Sequence, residues 1–253
     1  NGFEKEDSVK SKKLQLNLYN AQNELQRTWY LDPKEGLHKY RLAMQGKGLG
    51  FPDKNRSLID TTEQAPIPLP CGNYRLELSY GGQKADQSFV YRLDPRLSDQ
   101  ISLEDLEASF HYRQKLDASL DSLHQASDWL KEAKMKIQIS KELAELSLKA
   151  DQAKAYQDSL KSLEKGLKEL EEKIFGKVVD GYYDQPETLQ SQYNAILMYF
   201  WSNWAEVPSQ AQILEDKYRK SEQAFLEEWK AFKQNDWPKF ESLRQQFNLN
   251  LKG

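Results

Sequence analysis

The periodicity of the chain changes within Phe89-Val90-Tyr91-Arg92-Leu93-Asp94-Pro95-Arg96-Leu97, and this change indicates the fold class. Before it, apolar and polar residues alternate as they do in β-strands and are interrupted by Pro and Gly. After it come about 150 residues dominated by Leu, Ala, Glu, Lys and Gln at helical spacing. The sequence therefore predicts two domains of different class, residues 1–96 and residues 97–253.

The first part contains several short segments with the alternation of strands. They are residues 14–19, 24–31, 36–42, 73–80 and 87–93. Gly81-Gly82 supplies the positive φ angles of a tight hairpin turn between the last two. Residues 45–66, rich in Gly, Pro, Asp and Thr, are predicted to form a long surface loop. Short strands at this density favour an immunoglobulin-like (Ig-like) β-sandwich.

The second part carries apolar seams at steps of three and four residues. One seam predicts a helix from Ser102 to about Ile139, and a second runs from Leu143 to Ile174 and is ended by Gly176. Further helices are predicted for residues 187–205 and from Ser209 through Phe232, with a break at residues 236–238 before a last short segment. The predicted fold is thus α+β, with an N-terminal Ig-like β-sandwich followed by an antiparallel four-helix bundle.

Charge and hydropathy exclude two classes of partner. The 36 Lys and Arg residues stand against 39 Asp and Glu residues, and no basic stripe of the kind that binds nucleic acid is visible. The longest apolar cluster, residues 195–201, is far shorter than the roughly 18 residues of a membrane span. The single cysteine, Cys71, allows neither an intrachain disulfide nor a Cys/His zinc pattern.

The sequence shows no catalytic constellation. His111 and His124 are 13 residues apart on one predicted helix, about 20 Å, and His38 falls on a predicted strand. Cys71 has no histidine nearby in sequence to activate it. Residues 46–50 superficially resemble a phosphate-binding loop but lack its Lys-Ser/Thr ending. Carboxylate pairs such as Asp117/Asp121 are predicted to lie on solvated helix faces. We therefore expect no catalytic residue, no metal and no cofactor.

Aromatic residues supply the candidate binding positions. Tyr182 and Tyr183 lie in a predicted loop before Pro186, where aromatic side chains are exposed more often than on a helix. They are the two predicted binding residues. Tyr199, Phe200, Trp201 and Trp204 have helical spacing and are predicted to be core. The loop at residues 45–66 and the bundle surface are further candidate contact regions, on length and exposure.

Three motifs of the first part resemble, in order, the C-terminal region of bacterial sortilin-like, BNR-repeat β-propeller proteins, which are often labelled glycosyl hydrolases. Gly36-Leu37-His38-Lys39-Tyr40-Arg41-Leu42 resembles one strand of their Ig-like module, although a Trp common in that strand is Leu42 here. Leu69-Pro70-Cys71-Gly72-Asn73-Tyr74 resembles its L-P-x-G-x-Y strand, and Leu93-Asp94-Pro95-Arg96 resembles its closing D-P-R. In that family a helical region follows directly, as it does here.

The resemblance implies a non-catalytic structural or interaction module at the C-terminus of an exported bacterial β-propeller protein. Its partner would be the upstream propeller or a separate protein, and its location would be extracytoplasmic. Two alternatives stay open: an accessory region of a glycoside hydrolase, and a stand-alone carbohydrate-binding protein that uses the sandwich with Tyr182 and Tyr183. No family active-site residue can be carried over, because the resemblance does not include the propeller.

Overall fold

A computed structural model describes residues 13–57, 64–177, 187–202 and 207–249 of the chain. It shows an α+β protein with antiparallel sheets in the N-terminal part and helices after them. The chain divides into two compact units. The first consists of Asn1–Gly50, Thr62–Ala118 and Trp204–Val207, and the second of Phe51–Thr61, Ser119–Asn203 and Pro208–Gly253. The first unit thus includes a helix that follows residue 96. None of the described helices has the length and apolar character needed to cross a membrane.

Among the described residues of the first unit, six strands form two antiparallel sheets. They are β1 (Leu14–Tyr19), β2 (Leu25–Leu31), β3 (Gln45–Gly48), β4 (Gln64–Pro68), β5 (Gly72–Tyr80) and β6 (Gln83–Tyr91). The larger sheet has the order β2-β1-β5-β6, and β3 pairs with β4. The predicted turn at Gly81-Gly82 is confirmed, with φ angles of 57° and 81°. The strands predicted at residues 14–19, 24–31, 73–80 and 87–93 are present within a few residues of their expected ends.

One face of the larger sheet forms the core of the first unit. Leu18, Leu69 and Tyr74 are buried there, and half-buried side chains surround them. These are Trp29, Met44, Leu76, Phe89, Tyr91 and Phe110. The register places Leu18 opposite Leu76 and Tyr74 opposite Phe89, so alternate residues of neighbouring strands fill this face.

Two predictions for this part are wrong. Residues 36–42 form no strand, and Leu37 is fully exposed, because Asp32-Pro33 ends β2 and the segment finds no pairing partner among the described strands. Residues 45–66 are not simply a surface loop, since they contain β3 and the start of β4. Gly46 lacks the side chain that would crowd Leu69, whose Cδ2 would lie 3.1 Å from an added Cβ. Gly46 thus marks close packing between β3 and Leu69 rather than a free loop.

The helices are bounded as follows. They are α1 (Leu103–Ala118), α2 (Asp121–Ser147), α3 (Ala150–Phe175), α4 (Leu189–Ser202), α5 (Ser209–Ala231) and α6 (Trp237–Gln246). The α3 seam from Ala153 to Ile174 is buried as predicted, and Gly176, at φ 85°, ends that helix. Thr188 caps α4: its Oγ1 accepts from the Ser191 N–H at 3.1 Å, and Ser191 Oγ accepts from the Thr188 N–H at 2.9 Å.

The predicted first helix, from Ser102 to Ile139, is two helices. The chain turns at residues 119–120, and α1 belongs to the first unit, where Phe110 contacts the sheet core, whereas α2 belongs to the second. Leu116 before the turn and Leu120 within it are both buried, so the apolar spacing continues across the turn. Periodicity alone therefore does not reveal that the helix is interrupted there. The predicted start of the second helix is also wrong: residues 143–147 belong to α2, and α3 begins at Ala150.

The predicted break at residues 236–238 is wrong as well. The helix continues from α5 through one π-helical turn, Phe232–Asp236, into α6. Pro238 stands at the start of α6, where its missing N–H costs least. A π turn widens the helix locally and changes which carbonyl faces the following turn, so the proline is accommodated without ending the helix.

Candidate functional site

The two predicted binding residues, Tyr182 and Tyr183, lie outside the described residues. The described residues that flank them, Lys177 and Glu187, both line a cavity of about 530 Å³ in the helical unit. Its floor is apolar, with Gly166 and Leu170 of α3 and Phe232 of the π turn. Glu187 also accepts a hydrogen bond from Lys217 at 2.6 Å.

Opposite charges lie at this cavity. Lys173 of α3 forms an ion pair with Glu228 of α5, and both side chains are about half exposed. Lys177 lies 3.6 Å from Glu172. Both of these cations have an acidic partner, and the lining as a whole holds five acidic residues against two lysines, so its surplus charge is negative.

A row of exposed apolar side chains on α2 is the clearest candidate contact surface. Met135, Ile139 and Leu146, here called the α2 stripe, are 54%, 42% and 86% exposed. Their spacings of four and seven residues place them on one line along the helix, about 16 Å long. The misplaced helix boundary explains why sequence analysis assigned Leu146 to a buried seam.

The α2 stripe borders a groove of about 610 Å³ between α2 and α3. Met135, Ile137 and Leu167 supply its apolar lining. Charged residues surround it in pairs: Lys134 bonds Glu171 at 2.7 Å, and Lys141 bonds Glu164 at 2.6 Å. An apolar centre with a polar margin is the usual anatomy of a protein–protein contact.

Glu171 is a carboxylate beside this groove whose pKa departs from its ordinary value. Burial alone would raise its pKa, but the ammonium groups of Lys134 and Lys54 outweigh burial and hold the pKa below its ordinary value. The carboxylate therefore stays ionised at neutral pH and cannot serve as a proton donor there.

The outer face of the larger sheet carries a polar network. Asn17 of β1 lies at its centre: its amide donates to Glu77 Oε1 at 3.3 Å, and its carbonyl oxygen accepts from the Thr28 hydroxyl at 2.9 Å. The Arg75 guanidinium lies 4.2 Å from the centre of the Tyr19 ring. A cavity of about 490 Å³ at one end of this face is lined by several amides and by Arg75 and Ser88.

A tryptophan cluster on the helical unit was missed by sequence analysis. Trp129 of α2 makes edge contacts with Trp229 of α5 and Trp237 of α6, with ring centres 6.3 and 5.3 Å apart. Lys233 lies within 5.6 Å of the Trp129 and Trp229 ring centres. The spacing of Trp229, Lys233 and Trp237 by four residues was the available signal, since it places them on one helix face.

Asp117 was predicted to be solvated, and this is wrong. Its carboxylate is buried and accepts hydrogen bonds from the backbone N–H groups of Leu49 and Gly50, the latter at 3.3 Å. The glycine-rich segment that superficially resembles a phosphate loop thus binds a carboxylate of the chain itself. Asp121, its predicted companion, is exposed.

The remaining candidates for chemistry do not come together as a catalytic group. His111 is exposed on α1 and His38 is exposed in the segment between β2 and β3, and no cluster of three His, Cys, Asp or Glu suited to a metal occurs among the described residues. Burial raises the pKa of the Cys71 thiol, which keeps it protonated at neutral pH, the opposite of an activated nucleophile. Of the predicted core aromatics, Phe200 is buried and Tyr199 is 36% exposed, while the side chains of Trp201 and Trp204 lie outside the described part.

Comparison with protein-family models, with curated proteins and with solved structures finds no match to this chain.

Proposed function

We propose that the first unit is an Ig-like β-sandwich. The Tyr74 hydroxyl donates to the backbone carbonyl of Pro70, four residues upstream, at 2.7 Å. This is the geometry of the tyrosine corner found in Ig-like domains, where it ties a strand to the corner that precedes it. This hydrogen bond joins the Pro and the Tyr of the L-P-x-G-x-Y motif and so gives both residues a structural role. The segment at residues 36–42 is not a strand, so it does not support the proposed Ig-like fold.

We propose that the helical unit is an antiparallel four-helix bundle built from α2, α3, α4 and α5. Only Leu148 and Lys149 connect α2 to α3, and so short a connection favours antiparallel neighbours. Contacts pair α2 with α3 and α4 with α5, and α3 with α4. The buried seams of these helices carry Leu, Ala, Ile and large aromatic residues, as a bundle core requires.

We propose that the chain is a non-catalytic structural and interaction module, the C-terminal part of an exported bacterial β-propeller protein. The D-P-R motif supports this assignment through its geometry. Asp94 accepts from the Arg96 backbone N–H at 3.0 Å and pairs with its guanidinium, and Pro95 opens a short 3₁₀ turn, Pro95–Leu97. The motif is thus a self-contained corner between the last strand and the first helix, which explains its position at the junction.

The α2 stripe is the observation that carries the interaction role. Three large apolar side chains in line on one helix expose surface that is costly to leave in water, and a neighbouring groove extends it. The occupant we propose is the upstream propeller, with a separate protein as the other possibility. The extracytoplasmic location is part of the same proposal and rests on the resemblance alone.

Thiol labelling tests this surface. In a Cys71→Ser background, Ile139→Cys places a single thiol on the α2 stripe, and Glu145→Cys places one on the same helix about 120° away. Both positions are exposed. We expect maleimide to label Ile139→Cys more slowly, by about tenfold, when the variant stands in the full parent polypeptide in source-cell lysate than in the purified chain. Glu145→Cys should label at the same rate in both, and equal rates for Ile139→Cys would refute the proposed contact.

Carbohydrate binding is the second candidate, and the outer sheet face favours it. Amide and guanidinium groups converge on the cavity lined by Asn20, Asn23, Asn73 and Arg75, and such groups donate and accept hydrogen bonds with sugar hydroxyls. Retention of the chain on immobilised glycans, reduced by Arg75→Ala or by the Tyr182→Ala/Tyr183→Ala pair, would support it. An accessory role in a glycoside hydrolase is implied by the family label and would show as altered hydrolysis by the parent polypeptide.

A further inference from the structure

Strand β6 is a long, regular edge of the larger sheet. All nine of its residues pair with β5 without a bulge, from Gly72 opposite Tyr91 to Tyr80 opposite Gln83. Its sequence contains no proline. Within the described residues, no strand pairs with its other side.

The hairpin turn determines which backbone groups of β6 point outward. Positive φ angles at both Gly81 and Gly82 define a type I′ turn, whose flanking residues Tyr80 and Gln83 form a hydrogen-bonded pair. Because such pairs alternate along an antiparallel ladder, the even-numbered residues from 84 to 90 direct their N–H and C=O groups away from β5. The Gln87 amide donates to the Ser88 carbonyl at 2.9 Å, as an outward-facing carbonyl allows.

The two edge strands of the larger sheet, β2 and β6, differ in how far they are shielded from pairing with another strand. The β2 edge has β3 beside it, and a Cβ added to Gly46 of β3 would lie 3.8 Å from the Gln26 carbonyl oxygen, in van der Waals contact. The β6 edge has neither a covering strand among the described residues nor a bulge, and its two charged residues, Lys84 and Asp86, are of opposite sign. Natural sheets protect exposed edges with short strands, prolines, bulges or charges, and a long regular edge is a template for another strand.

We propose that β6 pairs in antiparallel fashion with β6 of a second copy of this chain, centred on Gln87. All nine residues of each strand then overlap. Ala85 faces Phe89 of the second copy, and Lys84 faces Val90. Asp86 and Ser88 exchange backbone hydrogen bonds across the pair, and the Gln87 amides lie opposite each other.

The charges on β6 select this register. Centring the pair on Asp86 would place two carboxylates opposite each other, and centring it on Ser88 would place Lys84 opposite Arg92 of the second copy. Both arrangements are repulsive. Centring on Ala85 pairs Lys84 with Asp86 but leaves only residues 83–87 of each strand overlapping. Centring on Gln87 avoids like charges directly opposite each other and keeps the full ladder.

Light scattering on size-separated chain tests this pairing. The purified chain should show a concentration-dependent mass twice its 29.5 kDa. Ser88→Pro removes an outward N–H while leaving the hydrogen bonds to β5, and should raise the dimer dissociation constant about thirtyfold or more. Ser88→Thr, which keeps the N–H, should leave dimerisation unchanged.

A second variant keeps the test valid if Ser88→Pro fails to fold. Gln87→Lys places two ammonium groups opposite each other and should weaken the dimer by roughly fivefold at low salt, with less effect at high salt. Circular dichroism confirms that each variant is folded. A wild-type chain that stays monomeric, or a dimer that tolerates both variants, would overturn the proposal. Either result leaves the proposed parentage of the chain untouched.

Discussion

Tyr74 shows how one side chain links a sequence motif to stability and pH dependence. Its ring is buried in the sheet core and its hydroxyl donates to the Pro70 carbonyl. Burial, assisted by the nearby Cys71 and Tyr91, raises the pKa of its phenol from 10.0 to about 12. The folded state thus favours the neutral phenol. The stability that the raised pKa contributes is complete below pH 10 and is lost as the pH rises towards 12.

Tyr74→Phe should therefore destabilise the first unit by about 1–2 kcal/mol at neutral pH, because the partly buried Pro70 carbonyl loses its donor. The stability difference between wild type and variant should shrink between pH 10 and 12, since only the wild type has the phenol to ionise. Urea unfolding at a series of pH values measures both effects. A constant difference across that range would contradict the assigned pKa shift.

We expect Asp117 to contribute more to the free energy of unfolding than the solvated position predicted from its sequence would allow. Replacing it with Ala leaves the N–H groups of Leu49 and Gly50 without its carboxylate in a buried site, so we expect a loss of about 2–3 kcal/mol in unfolding free energy. Asp121→Ala, at an exposed position at the start of α2, should change it by at most about 0.5 kcal/mol. Equal losses in the two variants would show that burial at Asp117 is not the cause.

Among the elements, α3 and the π turn approach each other closely at Gly166 and Phe232. A Cβ added to Gly166 of α3 would overlap the Phe232 ring at the first residue of the π turn. The Gly-to-Ala change favours an isolated helix by about 1 kcal/mol, but overpacking opposes it by about 1–3 kcal/mol. The structure therefore assigns Gly166 a packing role.

We expect Gly166→Ala to lower the thermal stability of the helical unit despite the better helix former. A companion Phe232→Leu change, which removes the ring from the point of overlap, should make the same Gly166→Ala change stabilising. Thermal unfolding of the wild type, the two single variants and the double variant gives a double-mutant cycle, which measures the coupling between Gly166 and Phe232. A stabilising effect of Gly166→Ala in the wild-type background would show that the helices do not approach closely there.

The elements also show which parts of the fold are encoded locally. The α3 seam, the Gly176 cap and the Gly81-Gly82 hairpin follow from short-range patterns, and all three were predicted. The turn at residues 119–120 and the failure of residues 36–42 to form a strand depend on which distant residues are available as partners. Periodicity carries no information about that choice, so those boundaries could not be predicted.

At the scale of the whole molecule, the α+β order and the change of class after β6 were predictable because each half has its own period. The bundle surface was predicted only in general, and neither the α2 stripe nor the buried site of Asp117 could be predicted. Leu146 becomes part of the α2 stripe only because α2 extends to Ser147, and Asp117 meets Leu49 only in the folded first unit. Tyr182 and Tyr183 stay a prediction, since they lie outside the described residues.

We propose that this chain is one module of a longer exported polypeptide. The most direct test is the mass and location of the native polypeptide in its source cells, by immunoblot with an antibody to this chain after separation of cytoplasmic and extracytoplasmic fractions. We predict a band of about 100 kDa or more, the size of this chain plus a propeller, in the extracytoplasmic fraction. A cytoplasmic band near the chain's own 29.5 kDa would contradict the claim.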